Sequence, residues 1–209
     1  AIAPILILGI FAKQWETLRV VVIPALVFTA MLLIATWLHW ANFLHGTPAF
    51  WLWYISYLTP PFAFAILYVL QWRKQQPVPK YEPMGTAFRT LLIALGVLIT
   101  AEGVYTFWNP THFIEPQAFG ITPLTARTLA GWITCVGLVL LFAAAEGAYE
   151  RVRIASPFLI LPLPFIWMQM ARFPDQVDWP HPRLLLMAGV LALCSILGVY
   201  MARGLRLRN

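Results

Sequence analysis

Residues 126–149 carry the sequence ARTLAGWITCVGLVLLFAAAEGAY, a run that is apolar except for one charge near each end. A helix needs about 20 mainly apolar residues to cross the hydrocarbon core of a bilayer. The charges are Arg127 and Glu146, so the interior of the run holds none. This stretch therefore predicts a transmembrane helix and sets the class of the whole protein.

The same pattern recurs five times elsewhere in the chain of 209 residues. The six predicted spans cover residues 20–38, 51–71, 89–107, 126–149, 157–171 and 184–202. Residues 1–12 are equally apolar but too short to span, and we expect them to belong to a seventh, truncated helix. The loops are too short to hold another folded unit, so we predict that residues 1–209 form one all-α polytopic membrane bundle.

The composition excludes a soluble or disordered protein. Hydrophobic residues make up 61% of the chain and charged residues 11%, whereas charged residues make up roughly a quarter of soluble domains. We attribute the net charge of +6 to membrane topology, because the basic residues are concentrated in every second loop. The charge therefore predicts no nucleic-acid partner. The loops on one side hold eleven basic residues, namely Lys13, Arg19, Arg73, Lys74, Lys80, Arg89, Arg151, Arg153, Arg203, Arg206 and Arg208. The loops on the other side hold three, namely Arg127, Arg172 and Arg183.

Lys and Arg accumulate in cytoplasmic loops. We therefore expect an integral protein of a bacterial cytoplasmic membrane, with a cytoplasmic C-terminus. Three helix starts are predicted by a hydroxyl residue followed by proline, the usual N-cap and first-turn pair. They are Thr47-Pro48, Thr122-Pro123 and Ser156-Pro157.

Two proline-interrupted spans form the first candidate site. Pro60 and Pro61 lie near the centre of the second span, where they remove amide donors and should kink or open the helix. The fifth span contains Pro162 and Pro164 and is predicted to be interrupted too. Paired interruptions indicate a transporter site between repeats. The candidate site residues are Ser56, Tyr57, Thr59, Pro60, Pro61, Pro162 and Pro164.

Glu102, inside the third span, is the second candidate. An acidic residue within a membrane helix is costly and is a functional hypothesis by default. Tyr105 and Thr106 share its helix face and could donate hydrogen bonds, while Arg127 is the nearest cation by topology. We expect a structural Glu102–Arg127 ion pair, with a coupling acid as the alternative.

A short motif occurs in both the third and fourth spans. AEGVY surrounds Glu102 and AEGAY surrounds Glu146, and an Arg-Thr-Leu triplet opens both helices at Arg89 and Arg127. The pattern suggests a duplication, although the spacings differ. The fourth span ends near the cytoplasmic face, so we expect Glu146 to extend its carboxylate to the interface.

A stripe of small residues marks the last span as a packing face, because small side chains let helices approach closely in lipid. It comprises Ala188, Ala192, Ser195, Gly198 and Ala202. The partner helix belongs either to the same chain or to another subunit.

The function predicted from these features is that of a non-catalytic structural or accessory subunit of a larger membrane complex. A small transporter using the proline-interrupted spans and Glu102 is the alternative, and an intramembrane enzyme or a pigment- or haem-binding subunit is a third. No catalytic residue and no metal site is predicted, since the four histidines lack ligand spacing. We expect bound lipid and other membrane subunits as partners, and no cofactor; haem, a pigment or a quinone is an alternative that no residue spacing requires.

Overall fold

A computed structural model describes residues 15–72, 81–115 and 120–202, without the side chains of residues 15–17, 71 and 72. The predicted seventh helix at residues 1–12 lies outside the described residues. Six described helical segments are long and apolar enough to span a membrane. The all-α bundle and the six spans are therefore confirmed.

The helices follow one another with short connections. They are α1 (Trp15–Leu38), α2 (Pro48–Trp72), α3 (Thr86–Trp108), α4 (Pro110–Ile114), α5 (Pro123–Glu146), α6 (Tyr149–Val152), α7 (Ser156–Ile160), α8 (Pro162–Arg172) and α9 (Pro182–Ala202). The described residues form no strand, but Pro83 and Ala148 make one isolated bridge.

Most helices start a few residues earlier than hydropathy predicts, because the capping residues precede the apolar run. Thr122 Oγ1 accepts a hydrogen bond from Thr125 N at 3.2 Å, with Pro123 in the first turn. Thr47 Oγ1 likewise accepts from Phe50 N at 3.3 Å. The fourth span ends at Glu146 rather than at 149, since Gly147 adopts the left-handed conformation with a φ of 64° and caps α5.

The four long helices α2, α1, α5 and α3 pack side by side in that order, each mainly against its neighbours in the row. The last two spans form a hairpin in which α7 packs on α9, and this hairpin joins the row through the start of α1. The main core lies between them and includes Val21, Leu140, Leu159 and Met201.

The α3–α5 contact is the most extensive between two helices of the described residues, and glycines permit its close approach. A Cβ added at Gly103 would lie 2.6 Å from Thr134 N and 3.0 Å from Ala130 O. A Cβ at Gly137 would meet Thr100 and lie 2.9 Å from Gly96 O. The two helices therefore touch backbone to backbone, as small residues allow in membranes.

The two proline segments behave differently from each other. In the fifth span, the predicted interruption is limited to Leu161, between Ile160 and Pro162, where the backbone itself stays helical with a φ of −68° and a ψ of −31°. This span runs from Tyr149 to Arg172, longer than predicted. Ser156 is not an N-cap; its backbone is helical and its hydroxyl donates to Arg153 O at 2.7 Å.

The second span is predicted to kink or open at its prolines, and the opening is wrong. Helix α2 continues without a break through Pro60 and Pro61. Tyr57 and Phe64 flank the prolines, seven residues apart on one helix face, and both belong to hydrophobic clusters of the bundle. Packing on either side of the prolines thus holds the two halves of α2 in one helix.

Candidate functional site

The two proline segments pack mainly against different helices. Helix α2, with Pro60 and Pro61, packs on α1, whereas α8, with Pro162 and Pro164, packs on α7 and α9. Ser56 and Thr59 are exposed on α2, and the Ser56 hydroxyl donates to Leu52 O in its own helix at 2.6 Å. The transporter site predicted between these segments stays a prediction.

Glu102 lies on the side of α3 that faces away from the bundle. Its neighbours Gly103 and Thr106 face α5 and are buried, while the Glu102 side chain remains 46% exposed. Thr106 Oγ1 donates a hydrogen bond to Glu102 Oε1 at 3.3 Å, as the sequence predicts. His112 Nε2, from α4, lies 3.4 Å from the same oxygen, and Tyr105 packs edge-on against the His112 ring.

Arg127 does not pair with Glu102, so the predicted ion pair is wrong. The Arg127 Nε donates to Phe107 O at 3.1 Å, and its Nη1 contacts His39 Nε2 at 2.7 Å. This arginine thus joins the start of α5 to the ends of α3 and α1. Its guanidinium is directed at a carbonyl and an imidazole, and Glu102 has only His112 as a potential ion-pair partner among the described residues.

His39 follows the last residue of α1 and is a neutral acceptor in this contact. Burial, and secondly the positive charge of Arg127, lower the pKa of His39 below its ordinary value of 6.5. Both effects disfavour the imidazolium form. The α1–α5 contact therefore requires a neutral ring that accepts from the guanidinium.

Glu146, at the opposite end of the bundle, is buried between two arginines. Its side chain is 4% exposed, with Arg19 Nε 2.6 Å from one oxygen and Arg151 Nη1 3.1 Å from the other. Arg151 also lies over the ring of Tyr81, 5.3 Å from its centre. The expectation that Glu146 reaches the interface is wrong, because cations from α1 and α6 meet it inside the bundle.

The two Arg-Thr-Leu motifs make equivalent contacts, whereas the two AEG motifs make different ones. Arg89 Nε donates to Ala144 O near the end of α5 at 3.0 Å, just as Arg127 donates to Phe107 O near the end of α3. Each Arg-Thr-Leu start thus binds the end of the other helix. The two AEG motifs differ, since Glu102 faces outward and Glu146 inward.

The small-residue stripe of α9 packs on α7 of the same chain at two of its positions. Ser195 Oγ donates to Leu159 O at 3.4 Å. A Cβ at Gly198 would lie 3.0 Å from Leu159 Cβ and from Ser156 O. Ala188, Ala192 and Ala202 are partly buried.

The histidines occupy separate environments. His39 contacts Arg127, His112 contacts Glu102, His45 stacks on Trp40, and His181 Nδ1 accepts from Arg183 N at 3.2 Å. In the described ranges, no three His, Cys, Asp or Glu side chains gather as metal ligands would.

Sequence reasoning missed both His112 and the α3–α5 crossing. His112 follows Glu102 by ten residues and reaches it only because the chain turns after Trp108, so no local spacing reveals the contact. The crossing does have a signal. Gly96, Thr100 and Gly103 have the same spacing as Ala130, Thr134 and Gly137, a small residue, a threonine four positions later and a glycine three beyond that.

Comparison of the chain with family models, with curated proteins and with solved structures gave no match.

Proposed function

We propose that this protein is a non-catalytic subunit of a larger membrane assembly, with a structural or accessory role. The observation that carries the proposal is that the other described residues cover little of α2. Only 6% of its apolar stretch is buried, against 56% for α1 and 50% for α5. Helices associate in lipid through close packing rather than through a hydrophobic driving force, so a helix that packs on α1 but is otherwise left largely uncovered by the described residues calls for further partners. Helices of another chain would supply them.

Three buried hydroxyls of the long helices support a structural role. Thr29, Thr36 and Thr134 each donate to the carbonyl four residues earlier in their own helix, at 2.8–2.9 Å. Thr36 Oγ1 also accepts from Trp53 Nε1 of α2 at 3.1 Å, whereas the buried Thr100 hydroxyl of α3 has no partner among the described residues.

Native membranes provide the test. The full chain, carrying a photo-crosslinking residue in place of Phe62 on the exposed face of α2, is irradiated in the membrane and extracted with its lipids. We expect an adduct with a different membrane protein, and native mass spectrometry should find that protein in stoichiometric amounts. The same crosslinker in place of buried Leu140 serves as the control and should give only adducts within the chain. A lone chain with lipid adducts at position 62 would contradict the proposal.

A further inference from the structure

The described residues do not fully neutralise the negative charge of the exposed Glu102 carboxylate. Glu102 lies six residues before Trp108, so at 1.5 Å per residue it sits about 9 Å deeper than the end of α3. A charge at such a depth is costly unless it is paired. Glu146, the other motif glutamate, pairs with two arginines, whereas the polar partners of Glu102 among the described residues are Thr106 and His112. A hydroxyl is neutral and an imidazole is charged only when protonated.

Four exposed residues form one face of α3 around this carboxylate. They recur at the three- and four-residue intervals that place side chains on one side of a helix. The face comprises Leu98, Ala101, Glu102 and Tyr105, and we call it the Glu102 surface. It points away from α5, because the intervening Gly103 and Thr106 are buried in the α3–α5 contact.

We propose that the Glu102 surface docks a transmembrane helix of another protein, which places a lysine or arginine side chain against the Glu102 carboxylate. The inference rests on the proposed subunit function and names the chemistry of the partner. The basic side chain of the partner, buried with Glu102 between two helices, supplies the permanent positive charge that the described residues do not place at this carboxylate. The small Ala101 beside Glu102 leaves room for a neighbouring helix to approach.

Charge and depth disfavour a second copy of the chain and a lipid amine as occupants. A second copy docked by a two-fold axis on this surface would set one Glu102 beside the other, and like charges repel. We take Trp108 to mark the interface, where tryptophans concentrate, so a lipid amine in the headgroup layer would have to descend about 9 Å to reach the carboxylate. A long basic side chain on a membrane helix needs no such displacement, since its methylene stem is compatible with hydrocarbon.

The test places a photo-crosslinking residue at Ala101 in the full chain, in native membranes. We expect an adduct with one membrane protein, through a span that contains a lysine or arginine. Glu102→Gln keeps the size and the Thr106 hydrogen bond but removes the charge, and should lower the adduct yield about tenfold. Glu102→Asp retains the charge and should restore most of the yield. Glu115→Gln, an exposed carboxyl beyond α4, removes the same charge elsewhere and should leave the yield unchanged.

Several outcomes would overturn the inference. These are an unchanged yield in Glu102→Gln, an adduct only with amine-bearing lipid, an adduct with a second copy of this chain, and a partner span without a basic residue. The crosslinker at position 62 separates this failure from that of the proposed function. If position 62 still captures a partner, only the docking at Glu102 is wrong, and if neither position does, both proposals fall.

Discussion

Replacement of Gly103 by alanine tests the close α3–α5 crossing on which the bundle depends. The added Cβ would lie 2.6 Å from Thr134 N and 3.0 Å from Ala130 O. Both are backbone atoms of a buried helix, so no side-chain rotation relieves the contact and the helices must separate. Overpacking of this kind costs up to about 3 kcal/mol, while alanine in place of glycine gains about 1 kcal/mol of helix propensity. We expect a net loss of about 2 kcal/mol.

The measurement is thermal unfolding in lipid nanodiscs, followed by tryptophan fluorescence. For a chain of this size, a loss of about 2 kcal/mol lowers Tm by roughly 4–8 °C. Gly189→Ala in α9 is the matched control, because nothing lies within 4 Å of its added Cβ. The control should unfold at the wild-type temperature or slightly above it. Equal Tm values for the two variants would refute the backbone contact.

Three further predictions concern charge and backbone conformation. Glu146→Gln leaves its two arginine partners without a buried counterion and should cost about 3 kcal/mol in denaturant unfolding, whereas Glu82→Gln, at an exposed carboxyl, should cost little. Gly147→Ala forces a side chain into the left-handed region, with an expected loss of about 1–2 kcal/mol in the same assay, and Gly147→Asn should lose less. Because the folded state lowers the pKa of His39, only the unfolded chain gains this proton just below pH 6.5, so the free energy of unfolding should fall on acidification from there. His39→Gln should remove that part of the pH dependence, and an unchanged slope would contradict the lowered pKa of His39.

The spans could be predicted because lipid imposes a simple requirement. Backbone polar groups in hydrocarbon must bond within the segment, so a long apolar run becomes a helix. The ends depend on single residues outside that run. Thr122 and Pro123 start α5 three residues before the predicted boundary, and Gly147 stops it three residues before the predicted end. Hydropathy is an average over a window and does not resolve such residues, whereas helix capping depends on each of them individually.

The prolines show where local rules fail. Pro60 and Pro61 remove two adjacent amide donors, yet α2 stays helical because Tyr57 and Phe64 anchor both halves on the same side of the bundle. At Leu161, just before Pro162, the backbone also stays helical, with a φ of −68° and a ψ of −31°. In both places the prolines remove amide donors without turning the chain out of the helical conformation.

The AEG motifs give the same lesson about function. Glu102 and Glu146 have the same neighbours in sequence, but α5 ends at Gly147 and brings Glu146 within reach of Arg19 from α1. Helix α3 continues for six residues past Glu102, up to Trp108, so that carboxylate stays on an uncovered face. Glu146 is thus neutralised by a cation from a separate helix, and this contact is visible only in the structure. The physical requirement at Glu102 is the same, and we infer that its cation also comes from a separate helix, one that belongs to another chain.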